Sequence, residues 1–175
     1  MRFRLLKMII AALLRKCDLN IIDQSVLKFR VMPWDCDIKI VSNDRYHAFM
    51  DLGRMDLVIR CGWWQHLWKN KWISFVKTAN IRYRYPLRLF QSFTLRTRFL
   101  YRDEQYFWML HEFERNGRTV AIAISKNSAW GKNGVVKTNE ALQALNKNFT
   151  NPGNPSEIVQ IINDSETLLQ KMQKT

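Results

Sequence analysis

Two aspartates, Asp35 and Asp37, lie between a stretch with strand character and a stretch with helix character. A carboxylate can act as a general base toward water, or it can attack a carbonyl group directly. The helix predicted to begin at Asn43 or Asp44 would present unsatisfied N–H groups and the positive end of its dipole, and both stabilise an oxygen that gains charge. Aspartate is also a common turn former, so the residues alone leave catalytic and turn-forming roles open.

The cysteines and histidines give little sign of further chemistry. There are three of each, with no CxxC pair and no metal-ligand spacing among the histidines. Cys36 has no histidine near it in sequence that could activate its thiol. We therefore predict no metal ion and no redox cofactor. The cysteine usage favours a reducing compartment, which predicts a cytoplasmic protein.

Periodicity predicts the elements that must position these residues. Alternating side chains predict a strand at Ser25–Met32, and helical spacing predicts one long helix that ends at Gly62. Gly53 inside this helix costs stability unless a close packing contact requires it. An aromatic stretch follows, and the pair Asn116–Gly117 predicts a tight hairpin turn. Four further strands are predicted, over Trp72–Tyr85, Ser92–Arg102, Tyr106–Asn116 and Thr119–Trp130.

A single long helix between one strand and a run of antiparallel strands predicts an α+β protein. One helix can be covered by a strongly curved sheet that wraps around it, and this arrangement is the hotdog fold. We divide the chain into a basic amphipathic segment (residues 1–24), the hotdog domain (25–135) and a C-terminal helical extension (136–175). Helices are predicted within that extension at Thr138–Asn146 and Ser156–Lys171.

Alternation also predicts one apolar and one cationic face for the sheet. Leu95, Phe99 and Tyr101 alternate with Arg96 and Arg98. Ile81, Tyr83 and Tyr85 alternate in the same way with Arg82 and Arg84. The arginines here form either a solvated face or, in part, a site for the phosphates of a ligand such as coenzyme A; they are Arg82, Arg84, Arg88, Arg96, Arg98 and Arg102.

The N-terminal segment Met1–Lys16 is both basic and apolar. Its apolar run, Met8–Leu14, is far shorter than the roughly 20 residues that span a bilayer. As a helix it places Phe3, Leu6 and Ile10 on one side together with Leu13 or Leu14. It could dock on its own domain or on a partner subunit, lie on an anionic membrane surface, or be a processed leader.

The segment from Arg30 to Gly62 resembles the 4-hydroxybenzoyl-CoA thioesterase family of hotdog proteins. The matching sequence motifs are Trp34-Asp35-Cys36-Asp37, then Asn43-Asp44-Arg45-Tyr46, then Asp51-Leu52-Gly53-Arg54. The resemblance implies that Asp37 is the catalytic carboxylate and that a backbone N–H near Asn43, Asp44 or Arg45 holds the oxyanion. It also implies Asp51 as the alternative acid on the helix. Relatives often carry a histidine or asparagine before the helix, where this chain has Lys39-Ile40-Val41-Ser42.

The resemblance implies a thioesterase that acts on an acyl-CoA or acyl-carrier-protein thioester, working as a homodimer or a dimer of dimers. The substrate-binding residues would be Asp44, Arg45, Tyr46, Arg82, Arg84 and Arg98. The alternative is a hotdog protein without activity that binds acyl chains or acts as a scaffold at a membrane. The net charge of +13 attracts polyanions of several kinds, but no nucleic-acid-binding signature accompanies it, so nucleic acid is the less favoured partner.

Overall fold

The structure is a computed structural model that describes residues 2–14, 19–20, 23–143, 157, 159–164 and 167. Its helices are α1 (Arg2–Leu14), α2 (Asn43–Arg60), α3 (Trp63–Lys69) and α4 (Thr138–Gln143), and a short 3-10 helix spans Pro33–Asp35. Its strands are β1 (Gln24–Arg30), β2 (Cys36–Asp37), β3 (Ile40–Val41), β4 (Ile73–Tyr83), β5 (Ser92–Arg102), β6 (Phe107–Arg115), β7 (Arg118–Gly131) and β8 (Gly134–Val136).

The main sheet is antiparallel, with strand order β1-β5-β6-β7-β4 and with β8 paired to β7. Its inner face packs on α2. Leu95 and Phe113 of the sheet and Phe49 of the helix are buried there in one apolar core. The four long strands are those predicted from alternation, and the long helix is the one predicted between the first two main strands. A curved sheet around a single helix is therefore the architecture of this chain.

Gly53 lets α2 lie unusually close to the sheet. A Cβ atom at this position would stand 2.3 Å from Oγ1 of Thr97 and 3.1 Å from a methyl carbon of Leu95. Contacts below about 3 Å between such atoms are repulsive, so any side chain here would push the helix away from β5. The predicted close packing contact at Gly53 is confirmed.

The two ends of α2 show one correct and one wrong prediction. Gly62 follows the last turn with φ 86°, and its N–H bonds to the carbonyl of Ile59 at 3.1 Å, as expected for a glycine that ends a helix. At the other end, the capping position belongs to Ser42, and not to Asn43 or Asp44. Both of these are already helical, which shifts the predicted boundary by one residue.

A hairpin turn in the main sheet is as predicted, whereas a β-bulge in β5 was not predicted. Asn116 and Gly117 have φ values of 52° and 70° and form the predicted hairpin turn between β6 and β7. A bulge between Phe99 and Tyr101 pairs them with Met109 and Trp108, which point to opposite faces. Tyr101 therefore lies on the outer face of the sheet, and its predicted place beside Leu95 and Phe99 is wrong.

The aromatic stretch after Gly62 forms α3, a helix that periodicity did not predict. Trp63 is buried against Phe99 and Phe107, with a ring-centroid distance of 4.6 Å to Phe107, whereas Trp68 on the same helix is exposed. In the C-terminal extension, α4 begins at the predicted Thr138. Residues 157, 159–164 and 167 are helical, in agreement with the second predicted tail helix, and the other positions of both predictions lie outside the described residues.

The N-terminal helix α1 packs against α2. Met8 and Ala12 are 7% and 1% exposed and belong to the same core as Phe49 and Met50. The helix therefore docks on its own domain, which is one of the alternatives that its sequence left open. Among the described residues, no helix combines the length and the apolar character that crossing a membrane requires.

Candidate functional site

Asp37 lies on a small hairpin that leads directly into α2. It pairs with Ile40 across the hairpin, and the turn between them is closed by Lys39 N–H bonding to the Asp37 carbonyl at 2.7 Å. Ile38 at the tip takes a φ of 58°, an unusual value for a β-branched residue. The Asp37 side chain is exposed, and no described residue forms an ion pair or hydrogen bond with its carboxylate. The carboxylate is therefore available to a ligand.

Asp35 holds this hairpin against the start of α2. Its side chain is fully buried, and Oδ2 accepts the N–H of Met32 at 2.8 Å. Its carbonyl accepts the N–H of Ser42 at 3.0 Å, directly before the helix. The interpretation of Asp35 as the residue that orders the turn is confirmed.

The first turn of α2 presents Asn43, Asp44 and Arg45 at an exposed end of the helix. The Ser42 hydroxyl donates to the Asp44 carboxylate, and Arg45 lies 3.4 Å from the same carboxylate. The hydrogen bond from Ser42 is the main cause that lowers the pKa of Asp44, with a smaller contribution from the charge of Arg45. The N-terminus of α2 thus combines the positive end of the helix dipole with an ionised aspartate beside it.

The segment between β4 and β5 packs along the other side of the hairpin. Val41 N–H bonds to the Leu87 carbonyl at 2.9 Å, and Ile40 forms an isolated bridge with Arg88. Tyr46 is buried, and its hydroxyl accepts the N–H of Leu87 at 3.4 Å. The structure thus gives Tyr46 a packing role, and its predicted contact with substrate stays a prediction.

The three predicted phosphate-binding arginines do not gather in one place. Arg82 pairs with Ile122, and Arg98 pairs with Leu110, on the face of the sheet that points away from α2. Arg84 instead follows β4, in the segment that packs on the hairpin, and its guanidinium lies 5.4 Å from the ring centroid of Tyr85. Of these three arginines, Arg84 is the one in the segment between β4 and β5, which contacts the hairpin through Leu87 and Arg88.

Arg88 was one of the six arginines considered for phosphate binding, but it was not among the three predicted to bind substrate. Because Ile40 pairs with both Asp37 and Arg88, only one strand separates Arg88 from the candidate carboxylate. The spacing of paired strands puts the two Cα atoms roughly 10 Å apart. No sequence signal separates Arg88 from the other arginines, since the bridge joins residues far apart in the chain.

Exposed apolar side chains surround the hairpin. Ile38 is 95% exposed, which leaves it almost entirely in solvent. Trp34, Ile40 and Phe90 are also exposed, and the Arg30 guanidinium lies 5.6 Å from the centroid of the Phe90 ring. An apolar rim around a carboxylate is typical of a surface that a ligand or a second subunit covers.

Asp51, the alternative acid, lies two turns further along α2, roughly 10 Å from Asp44 along the helix axis. It is exposed and forms an ion pair with Arg54. Arg54 also donates to Oδ1 of Asn127 on β7 at 3.1 Å. Burial lowers the pKa of Arg54, and the charge of Asp51 opposes this shift. Asp51 is thus engaged by a cation, unlike Asp37.

A buried row of polar side chains continues from Asn127 across the inner face. Asn127 Nδ2 donates to the hydroxyl of Ser125 at 2.9 Å, and Nε2 of His111 lies 2.9 Å from the same hydroxyl. Nδ1 of His111 lies 3.1 Å from Oγ1 of Thr97. Burial, and to a smaller extent the charge of Arg54, lower the pKa of His111 to about 3. His111 is therefore neutral at physiological pH.

The Cys36 thiol, next to Asp37, is poorly suited to act as a nucleophile. Partial burial and the negative charges of Asp35 and Asp37 raise its pKa, so the reactive thiolate is disfavoured. In the part of the chain that the structure describes, no three side chains of His, Cys, Asp or Glu gather as a metal site would require. The absence of a metal from the reaction stays a prediction.

The family profile of the thioesterase-like superfamily matches residues 31–130, which is more than half of the 175-residue chain. This chain belongs to the thioesterase-like superfamily. The match spans the Asp37 hairpin, α2 and β4 to β7. No curated protein sequence matches the chain.

Solved structures confirm the hotdog fold of this superfamily member. A probable thioesterase, YbaW, from Escherichia coli superposes with a TM-score of 0.63 at 20% identity, covering 70% of this chain and 98% of that one. A probable thioesterase from Bartonella henselae gives 0.60 at 18%, covering 66% and 98%. A 4-hydroxybenzoyl-CoA thioesterase variant in complex with 4-hydroxybenzoyl-CoA gives 0.62 at 16%, covering 70% and 98%. At these identities the likeness concerns the fold.

Proposed function

We propose that this protein hydrolyses the thioester of an acyl-CoA or an acyl-carrier protein, with Asp37 as the catalytic carboxylate. The observation that carries the proposal is the unpaired, exposed Asp37 on a hairpin fastened to the start of α2 through Asp35 and Ser42. A carboxylate and a helix N-terminus on adjoining segments are the two parts that thioester hydrolysis needs. Membership of the thioesterase-like superfamily supports the same chemistry.

The reaction requires attack on the thioester carbonyl carbon and loss of the thiolate. Asp37 can take a proton from water, whose oxygen then bonds to that carbon. Alternatively the carboxylate itself attacks, and water then hydrolyses the resulting anhydride. In both routes, the N–H group of Asn43 or Asp44 holds the oxyanion while the carbon–sulfur bond breaks, because the N–H of Arg45 already donates to the Ser42 carbonyl at 3.1 Å. The thiolate of the carrier leaves and is protonated by the acid form of Asp37 or by water.

The cations around the hairpin supply binding energy for the carrier. Arg84 and Arg88 lie on the segment that packs against it, and guanidinium groups bind phosphates through paired hydrogen bonds. The net charge of +13 adds a long-range attraction to an anionic substrate. The region of Asp37 is thus suited to a phosphate-bearing thioester such as an acyl-CoA.

We also propose that the working unit is a homodimer. Strand β4 spans 11 residues and stands at the end of the strand order, so one edge of it has no neighbouring strand among the described residues. An unpaired edge of this length is a template for pairing with a second copy. The apolar rim around Asp37 is a further surface that a second subunit would cover.

Thiol release from a panel of short, medium, long and aromatic acyl-CoAs tests the activity. The proposal expects release that depends on enzyme concentration and differs among acyl groups. Absence of release across the panel and from acyl-carrier-protein thioesters would contradict it.

A second candidate function is acyl-chain binding without turnover, as a scaffold. It is favoured by the segment Lys39–Ser42, which has no histidine or asparagine to orient water, and by the Ser42 hydroxyl, which is already engaged by Asp44. Binding of a non-hydrolysable acyl-CoA thioether separates the two. A scaffold binds the thioether and releases no thiol from the thioester, whereas an enzyme does both.

A further inference from the structure

The helix α1 has two apolar sides, and the domain uses only one of them. Met8 and Ala12, four residues apart, face the core and are buried. Ile10, Leu13 and Leu14 lie on the other side and are 51%, 54% and 77% exposed. A helix that only docked on its own domain would carry polar residues on that second side.

The same spacing of apolar residues continues in the sequence toward the beginning of the helix. Positions 3 and 6 are Phe3 and Leu6, and they share the helical spacing of Ile10 and Leu13. The exposed side chains of Ile10, Leu13 and Leu14 form an apolar stripe along the last turns of this helix of 13 residues. A stripe of this size requires a partner, since it is large for an apolar surface left in water.

The charges in the sequence of this segment indicate the chemistry of that partner. Five cations accompany the helix in sequence, and no acidic residue occurs between positions 1 and 16; the cations are Arg2, Arg4, Lys7, Arg15 and Lys16. A second copy placed against the stripe would bring like charges together, which is unfavourable. An apolar stripe flanked by cations is instead the pattern that binds an anionic lipid surface.

We propose that α1 attaches the folded domain to an anionic lipid bilayer, with Ile10, Leu13 and Leu14 in the boundary between headgroups and acyl chains. The helix lies in the plane of the surface, because Met8 and Ala12 fix its other side to α2. The cations contact lipid phosphates, and the domain stays on the aqueous side. This proposal is independent of the thioesterase chemistry.

Co-sedimentation of the full chain with lipid vesicles tests the proposal. We expect binding to phosphatidylcholine vesicles that contain phosphatidylglycerol, and loss of binding with pure phosphatidylcholine or at high salt. The double variant Leu13→Ser/Leu14→Ser should bind at least about tenfold more weakly, because it removes the apolar stripe. Both side chains are exposed, so its thermal unfolding should match that of the wild type.

The matched control is Ile161→Ser, which removes an exposed apolar side chain outside α1. It should sediment with anionic vesicles as the wild type does. Failure of the wild type to sediment overturns the proposal, and so does full binding by the double variant. A double variant with a changed mass in light scattering but unchanged vesicle binding would show that the stripe is a subunit contact, which also overturns it.

Discussion

Asp35 and Asp37 are two residues apart in sequence, yet their side chains lie in opposite environments. Asp35 is fully buried and accepts the N–H of Met32 at 2.8 Å. Asp37 is exposed, without an ion pair or hydrogen bond from any described residue. Asp35 ends the short 3-10 helix, whereas Asp37 lies in β2, and the change of backbone conformation between them buries one carboxylate against the backbone and leaves the other for a ligand.

This difference in burial predicts that Asp35 stabilises the folded protein. Replacing it in Asp35→Ala removes the acceptor for a backbone N–H and leaves a buried gap, which should cost about 1–3 kcal/mol of unfolding free energy. Urea unfolding measures the loss. The same measurement on Asp37→Ala should show little change, since that side chain is exposed. Equal stability of Asp35→Ala and the wild type would contradict the structural role.

The contact between Gly53 and Thr97 predicts a large effect from a single methyl group. In Gly53→Ala the new Cβ would stand 2.3 Å from Oγ1 of Thr97, so α2 must move away from β5. We expect a loss of about 1–3 kcal/mol from overpacking, measured by urea unfolding, although alanine is intrinsically the better helix former. His47→Ala, at an exposed position of the same helix, is the control and should be nearly neutral. A stabilised Gly53→Ala would show that the helix does not lie this close.

The lowered pKa of the buried His111 predicts that the stability of the protein depends on pH. Its folded pKa of about 3 lies below the ordinary value near 6.5, so the unfolded chain binds its proton first as the pH falls. Its contribution to stability is therefore complete above pH ~6.5 and falls by up to about 1.4 kcal/mol per pH unit between there and pH ~3.

The variant His111→Gln keeps hydrogen-bonding groups but cannot take up a proton. Between pH 7 and pH 5, urea unfolding should show a smaller loss of stability for His111→Gln than for the wild type, by roughly 2 kcal/mol. Parallel pH profiles for the two proteins would mean that His111 titrates normally in the folded state.

The bridge between Ile40 and Arg88 predicts which arginine binds the carrier. If the substrate is an acyl-CoA, Arg88→Ala should raise KM about threefold to tenfold, with a smaller change in kcat, because a phosphate contact is lost. Arg98→Ala, on the outer face of the sheet, is the control. A larger KM effect for Arg98→Ala would support the original assignment of that residue and contradict the role of Arg88.

Local signals in the sequence predicted much of this fold because the physics behind them is local. Asn116–Gly117 specifies a tight turn through its positive φ values, and Gly62 ends α2 for the same reason. No element was predicted where α3 lies, because a run of aromatic residues fits helix and strand equally well. Tyr101 was placed on the wrong face because a bulge shifts the alternation by one residue, and no residue type announces it.

In the candidate site, too, the contacts between residues near in sequence could be predicted, and those between distant residues could not. The hairpin and the start of α2 adjoin in sequence, so their proximity follows from chain order, and the family resemblance then selects Asp37. The closeness of Arg88 depends on a bridge to Ile40, 48 positions earlier in the chain, and that of Arg54 and Asn127 on packing across the core. Contacts of this range are decided by tertiary structure, and a single sequence does not show them.

The most direct test of the central claim compares kcat/KM for acyl-CoA hydrolysis in the wild type, Asp37→Asn and Asp51→Asn. Asparagine keeps the size of each side chain and removes its ability to act as a base or nucleophile. We expect Asp37→Asn to lose about 10²–10⁴-fold in kcat/KM with unchanged stability, and Asp51→Asn to lose far less. Unchanged turnover in Asp37→Asn, or a larger loss in Asp51→Asn, would contradict the assignment of Asp37 as the catalytic carboxylate.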